Sequence, residues 1–108
     1  MTKVLMTLPF KRRFKDLSKR YRKILADIQP IFEALESGEV IGDRIAGMDF
    51  VVFEVRARNS DILTGKSGGY RLIYQLVSPE SVYLLLIYAK SDREDITVAE
   101  IEDAIDQS

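Results

Sequence analysis

The chain has 108 residues, 46% of them hydrophobic, and a formal net charge of −1, which suits one small domain, residues 1–108, with a single core. It contains no cysteine and no histidine, so disulfides, thiol nucleophiles and the side chain that most often serves as metal ligand or general base are excluded. Because no apolar run could span a membrane and the amino terminus is too short for a signal peptide, we expect a cytoplasmic protein whose chemistry rests on Arg, Lys, Tyr and carboxylates.

The first third of the chain is predicted to form a short strand followed by helical structure. Residues 3–7 alternate as in a strand, and Thr7 followed by Pro9 marks a helix start, with a capping side chain ahead of a proline in the first turn. Apolar residues then recur at steps of three, four and seven as far as Leu35. This spacing places them on one helical face, which we expect to cover a sheet.

This helical region is predicted to divide into a hairpin of two helices. The first helix should end near Leu17 and the second should run from about residue 20 to 37, with Ser18 as the cap of the new start. Pro30 lacks an amide hydrogen, so it should kink or divide the second helix. The second helix is expected to end at the glycines that follow it, Gly38 and Gly42.

Three strand patterns follow, at residues 50–58, 70–77 and 81–89. Connections by loops without helical pattern favour antiparallel neighbours. The apolar run within the last strand indicates that this strand is shielded on both faces. Alternation gives Tyr88 the same phase as Leu84 and Leu86.

A short acidic helix is predicted to close the chain. Thr97 and Glu100 form a capping box, and a hydrophobic contact between Ile96 and Ile101 flanks the helix, which should end near Asp106. The predicted fold class is therefore α+β, with an amino-terminal helical hairpin packed on a small antiparallel sheet of three to four strands and a short carboxy-terminal helix.

The strand at residues 50–58 divides its side chains between an apolar and a charged face. Phe53, Val55 and Ala57 point one way. The other face carries Val52, Glu54, Arg56 and Arg58. Two arginines and a carboxylate on one face of a strand do not belong to a core.

A glycine-rich basic loop at residues 65–69 leads straight into the next strand. Its paired glycines permit backbone angles closed to other residues and allow a partner's backbone to approach. Arg71 therefore lies where a flexible loop enters a rigid strand, and we expect the chemistry to take place there. The plain alternative is a hairpin loop with one solvated lysine, Lys66.

Charge is segregated along the chain in spite of the small net value. Residues 1–23 carry +8 and residues 56–90 carry +3, whereas 24–55 and 91–108 carry −6 each. Two basic blocks could fold onto one face and bind a polyanion. On the helices the basic side chains form either a solubilising face or a footprint for phosphate groups. These helical residues are Lys11, Arg12, Arg13, Lys15, Lys19, Arg20, Arg22 and Lys23.

Three blocks of sequence resemble the RelE/ParE superfamily of bacterial toxins, most closely its RelE/HigB branch. They are FEVRARNSD at 53–61, GKSGGYRLIY at 65–74 and LLLIYAKS at 84–91. The resemblance implies a RelE-like fold and the toxin of a type II toxin–antitoxin system, a ribosome-dependent mRNA endonuclease that inhibits translation. Such toxins cut by attack of the ribose 2′-hydroxyl on its own phosphate, without metal or cofactor. The implied partners are the ribosome, mRNA and a cognate antitoxin, with a monomer when alone and a hetero-oligomer with the antitoxin.

The resemblance also implies which residues act. Arg71 matches the family's arginine after the glycine-rich loop and would bind the transferring phosphate. Arg56 and Arg58 would hold flanking phosphates, and Lys66 and Lys90 would complete the cationic ring. Lys90 could also protonate the leaving oxygen. Further phosphate contacts would come from Lys11, Arg12, Arg13 and Lys15.

The general base is where this chain departs from the family. Related toxins place a tyrosine, histidine or carboxylate at or after the last strand, whereas this chain reads KSDRED at 90–95. Glu54 and Tyr88 are the candidates. The alternative for Glu54 is an ion pair with Arg56 or Arg58, and the alternative for the tyrosines is sheet packing or stacking on an mRNA base.

Two other functions stay open from the sequence. A ParE-like inhibitor of DNA gyrase would need no cationic catalytic face, and a catalytically inactive relic would only bind its antitoxin. All three functions predict an antitoxin that wraps an apolar groove with an amphipathic segment. The acidic helix from Thr97 to Asp106 could be part of that regulated surface, because it is short and terminal.

Overall fold

Five strands and three helices make up the computed structural model, which describes residues 1–62, 69–93 and 95–107. In chain order the elements are β1 (Lys3–Met6), α1 (Leu8–Arg20), α2 (Ile24–Glu36), β2 (Asp43–Arg44), β3 (Val52–Ala57), β4 (Tyr70–Ser78), β5 (Ser81–Ala89) and α3 (Val98–Asp106). The α+β class is confirmed, and β5 has the predicted bounds.

The sheet is mixed and five-stranded, so the prediction of three to four antiparallel strands is wrong. Its order is β1-β5-β4-β3-β2, with β1 parallel to β5 and every other pair antiparallel. β1 joins β5 because Thr7 donates to the Leu84 carbonyl through its amide at 3.1 Å and its hydroxyl at 2.7 Å. β2 has two residues, too few for a strand pattern to be visible in the sequence.

The core lies in two layers, one on each face of the sheet. On the first face, helices α1 and α2 pack their apolar stripe on β4 and β5. On the second face, α3 packs on a smaller cluster of sheet residues that includes Val52, Ile73 and Leu86. β5 contributes buried side chains to both layers, which confirms the prediction of a strand shielded on both faces.

A bulge in β5 corrects the predicted phase of Tyr88. Ile73 pairs with Leu86 but Tyr74 pairs with Leu84, so Leu85 is an extra residue in β5. Leu84 therefore belongs to the layer under α1 and α2, while Leu86 and Tyr88 belong to the layer under α3. The sequence could not show this shift because strict alternation assumes an unbroken ladder.

The first helix starts where expected and ends later. The Thr7 hydroxyl accepts from the Phe10 amide, and proline stands in the first turn. Ser18 lies inside α1, where its hydroxyl donates to the Lys15 carbonyl at 2.7 Å, so its predicted role as a cap is wrong. The chain turns instead at Tyr21, which is extended at φ −119° and ψ 94° and packs edge-on against the Tyr70 ring.

The second helix runs through Pro30 without division. Pro30 and Ala26 are both exposed, and Ala26 carries the carbonyl that loses its intrahelical donor. The helix ends in a Schellman motif: Gly38, at φ +92°, donates to the Leu35 carbonyl, and Glu39 donates to that of Ala34. Gly38 thus ends α2 as predicted, whereas Gly42 lies further on, beside β2.

Candidate functional site

Three of the predicted residues form one row across the sheet. Arg56 on β3 pairs with Arg71 on β4, and Arg71 pairs with Tyr88 on β5. Tyr88 belongs to the layer under α3, so the row lies on the face away from the helical hairpin. Glu54 precedes Arg56 by one strand repeat and lies on the same face. We call Glu54, Arg56, Arg71 and Tyr88 the sheet cluster.

Arg71 and Glu54 form the central ion pair of the sheet cluster. Nη1 of Arg71 donates to Oε1 of Glu54 at 2.7 Å, with the two side chains 12% and 22% exposed. Glu54 was expected to pair with Arg56 or Arg58 if it was structural; it pairs with Arg71 instead, its diagonal neighbour on β4. The buried Nε of Arg71 has no hydrogen-bond partner, so the guanidinium keeps an unused donor.

Tyr88 contacts the other oxygen of the Glu54 carboxylate. Its hydroxyl donates to Oε2 of Glu54 at 3.5 Å. Burial, and then the nearby Glu54 carboxylate, raise the pKa of Tyr88 to about 12. At neutral pH the tyrosine is therefore protonated and is the hydrogen-bond donor in this pair, which makes Tyr88 the weaker of the two candidates for a general base.

The predicted cations other than Arg71 differ in their exposure. Arg56 and Arg58 are exposed, and Lys90 is partly buried just after β5. The Lys90 amide donates to the Gly69 carbonyl at 2.8 Å, so Lys90 stands beside the end of the glycine-rich loop. Lys66 lies outside the described residues.

Gly69 allows the chain just before β4 to approach β3 closely. Its φ is +66°, and a Cβ placed on it would lie 2.1 Å from the Ala57 carbonyl oxygen. Only glycine fits such a contact. The residue that follows, Tyr70, pairs with Ala57, so this close approach stands at the start of the register that brings Arg71 opposite Arg56.

Helix α1 packs on the face opposite the sheet cluster, but its Arg13 and Arg20 reach the border of the cluster, where they line a pocket with Tyr88. Lys11, Arg12 and Lys15 are exposed. Arg13 comes within 3.7 Å of Glu100 at the start of α3. Arg20 forms a two-pronged ion pair with Asp92, after β5, which lowers the pKa of that carboxyl.

Sequence reasoning missed two residues at the border of the sheet cluster, Arg93 and Glu100. Arg93 donates from both terminal nitrogens to Glu100, at 2.9 and 2.7 Å, and its guanidinium carbon lies 5.9 Å from the centroid of the Tyr88 ring. The hydrogen bonds from Arg93 hold the pKa of Glu100 down at about 2. Glu100 was predicted as half of a capping box, which the structure confirms, but nothing in that motif signals a second partner.

Within the described ranges, no group of acidic side chains is arranged to hold a metal ion. No described helix is both long and apolar enough to cross a bilayer. Comparison with protein-family models and with curated proteins finds no match to this chain.

Proposed function

We propose that the protein is the toxin of a type II toxin–antitoxin pair and cleaves mRNA on the ribosome, as RelE-type toxins do. The observation that carries the proposal is the row of Arg56, Arg71 and Tyr88 across three strands, with Glu54 held between Arg71 and Tyr88. Two guanidinium groups beside a carboxylate suit a reaction on a phosphodiester.

The proposed reaction transfers a phosphoryl group within the RNA. Glu54 takes the proton of the ribose 2′-hydroxyl as that oxygen bonds to the adjacent phosphorus. The bond from phosphorus to the 5′ oxygen breaks, and Lys90 gives that oxygen a proton. The products are a 2′,3′-cyclic phosphate and a free 5′-hydroxyl, and no oxidant, reductant or further reactant is needed.

Arg71 is the proposed ligand of the reacting phosphate. Charge on the phosphate oxygens grows in the transition state, and a fixed guanidinium offers paired donors to two of them. Because Glu54 occupies Nη1 of Arg71 in this structure, the phosphate would take over that donor. The carboxylate, still in contact with Tyr88, would then be free to accept the 2′-hydroxyl proton.

The remaining cations serve binding in this proposal. Arg56, which pairs with Arg71, and Arg58 are both exposed and would contact flanking phosphates. The exposed cations of α1 would contact ribosomal or messenger RNA without reading its sequence. A ribosome-dependent toxin acts in the cytoplasm, and a cognate antitoxin would neutralise it.

The test is primer extension on a defined mRNA translated in a purified system, with a control that lacks ribosomes. We expect wild-type protein to produce stops within codons only when ribosomes are present, and Arg71→Ala to cleave roughly 10²- to 10³-fold more slowly. Arg71→Lys keeps the charge but not the paired donors and should recover little activity. The matched control is Arg44→Ala, because Arg44 is exposed and pairs with Phe53, which faces the helical hairpin.

Intact message after treatment with folded wild-type protein would contradict the proposal. DNA breaks that depend on gyrase would then point to the ParE-like alternative, which should survive Arg71→Ala. Binding to an antitoxin with neither activity would leave the inactive relic.

A further inference from the structure

Glu100 is bound more extensively than a capping box requires. A capping box needs one contact from this side chain to the Thr97 amide, and that contact is present at 3.1 Å. The same carboxylate also accepts both terminal nitrogens of Arg93, at 2.7 and 2.9 Å, and lies 3.7 Å from Nη2 of Arg13. Glu100 therefore joins the start of α3, the segment after β5 and helix α1 at one point.

Arg93 carries this connection to the sheet. Its Nε donates to the Asp95 carbonyl at 2.8 Å, so all three nitrogens of the guanidinium are committed and its plane is fixed. Its central carbon is 5.9 Å from the centroid of the Tyr88 ring, within the range of a cation–π contact. Tyr88 is 3% exposed and belongs to the apolar layer under α3, with Arg93 at its border.

Tyr88 in turn contacts the central ion pair. Its hydroxyl donates to one oxygen of Glu54, and Arg71 donates to the other. The contacts from Glu100 to Arg93, Tyr88, Glu54 and Arg71 are continuous, although Glu100 and Arg71 stand on different elements. A shift of the Tyr88 ring would move the hydroxyl that orients the Glu54 carboxylate.

We propose that Arg93 and Glu100 are positioning residues of the sheet cluster: Glu100 fixes the guanidinium of Arg93, Arg93 fixes the Tyr88 ring, and Tyr88 orients Glu54 against Arg71. The catalytic consequence rests on the proposed endonuclease function. The positioning itself is a property of the free protein and can be measured without RNA.

The test compares two substitutions at the start of α3. Glu100→Gln keeps a side chain that can cap the Thr97 amide but removes the charge that holds Arg93. Thr97→Ala weakens the cap and removes the hydrogen bond from the Thr97 hydroxyl to Oε1 of Glu100, but it keeps the charged carboxylate and both Arg93 donors, so it is the control for loss of helix stability. In the free protein we would follow the ¹H–¹⁵N signal of Arg71 Nε, a buried donor without a partner whose environment depends on Glu54.

Glu100→Gln should shift the Arg71 Nε signal, and Thr97→Ala should leave it in place. On the ribosome, Glu100→Gln should slow single-turnover cleavage about tenfold or more, since small displacements of reacting groups are costly, while its affinity for the ribosome stays at the wild-type value. Arg93→Lys, which keeps a positive charge, should lie between Glu100→Gln and wild type.

Three results would overturn the inference. They are an Arg71 signal that does not move in Glu100→Gln, an equal movement in Thr97→Ala, which would assign the effect to anchoring of α3, and cleavage by Glu100→Gln at the wild-type rate. If wild-type protein cleaves no RNA, the endonuclease proposal fails, and the Arg71 signal still decides whether Glu100 positions the sheet cluster.

Discussion

The two faces of the sheet are built for different purposes, and β4 shows this most clearly. Leu72 and Arg71 are adjacent in sequence. Leu72 is fully buried under the helical hairpin, whereas Arg71 points to the other face and pairs with Glu54. A strand that alternates in this way lets one face carry stability while the other carries charge.

One buried hydroxyl on the hairpin face finds its partners locally. Tyr74 is fully buried, and its hydroxyl accepts from the Ile41 amide and donates to the Ile41 carbonyl. On the other face Arg71 keeps an unused buried donor. Buried donors without partners are uncommon, because burial removes their hydrogen bonds to water and no other hydrogen bond replaces them. The hairpin face contains such a group as well, the Tyr70 hydroxyl, so what distinguishes the other face is its buried ion pair between Arg71 and Glu54.

The sharpest test of this division is a truncation in the hairpin face. Leu72→Ala should lower the free energy of unfolding by about 2–5 kcal/mol, because it opens a cavity in a closed core. Urea unfolding would measure it. The control is Leu25→Ala, which changes a leucine that is 56% exposed and should alter stability by no more than about 0.5 kcal/mol. Equal losses in the two variants would contradict the division of roles.

On the other face, neutralising the Glu54 carboxylate should favour binding of an external anion to Arg71. Glu54→Gln frees Arg71 from its carboxylate, so inorganic phosphate should bind about tenfold more tightly, or about 1.4 kcal/mol. Calorimetric titration would measure this, with Glu80→Gln as the control since Glu80 is an exposed carboxylate in the turn between β4 and β5. The same variant should cleave mRNA more slowly if Glu54 is the base. Phosphate affinity that Glu54→Gln leaves unchanged would show that Glu54 does not compete for Arg71.

Acid should weaken the border between α3 and the sheet cluster. In the folded protein the pKa of Glu100 is about 2, below the ordinary 4.5, so its stabilising effect is present above about pH 5 and is lost as the pH falls towards 2. At pH 6, Glu100→Gln should be less stable than wild type by roughly 1 kcal/mol after solvent screening is allowed for, and near pH 2 the gap should close. Urea unfolding at both values measures it, and a constant gap would contradict the role of the charge.

The smallest expected effect on stability belongs to Arg56. It is exposed, so Arg56→Ala should change the free energy of unfolding by less than about 0.5 kcal/mol. RNA binding should weaken, and its dependence on salt should fall by about one counterion if Arg56 contacts a phosphate. Binding isotherms at several salt concentrations would measure this, and an unchanged salt dependence would remove Arg56 from the binding surface.

The sequence predicted those parts of the fold that depend on local chemistry. The Thr7 cap, the capping box of Thr97 and Glu100, and the bounds of β5 all follow from neighbouring residues. The parallel pairing of β1 with β5 and the two-residue β2 depend on contacts distant in sequence, which alternation does not encode. The predicted helix boundary at Ser18 failed because packing of Tyr21 on Tyr70, rather than a capping side chain, decides where α1 ends.

The sequence predicted which face of the sheet carries the candidate site, but not which side chains pair with each other there. Alternation alone put Glu54 and Arg56 together on β3. Which cation would meet Glu54 depended on the register between β3 and β4, and the sequence offered Arg56 or Arg58 where the structure has Arg71. No sequence pattern indicated Arg93, because its role depends on a contact with Tyr88 across a turn.

The close approach at Gly69 limits which variants of this protein can be made. Any other residue there would drive a carbon atom into the Ala57 carbonyl and push the start of β4 away from β3. A library that diversifies residues 63–68 should therefore hold Gly69 constant. If Gly69 were allowed to vary, Arg71 would no longer pair with Arg56 in most members of the library.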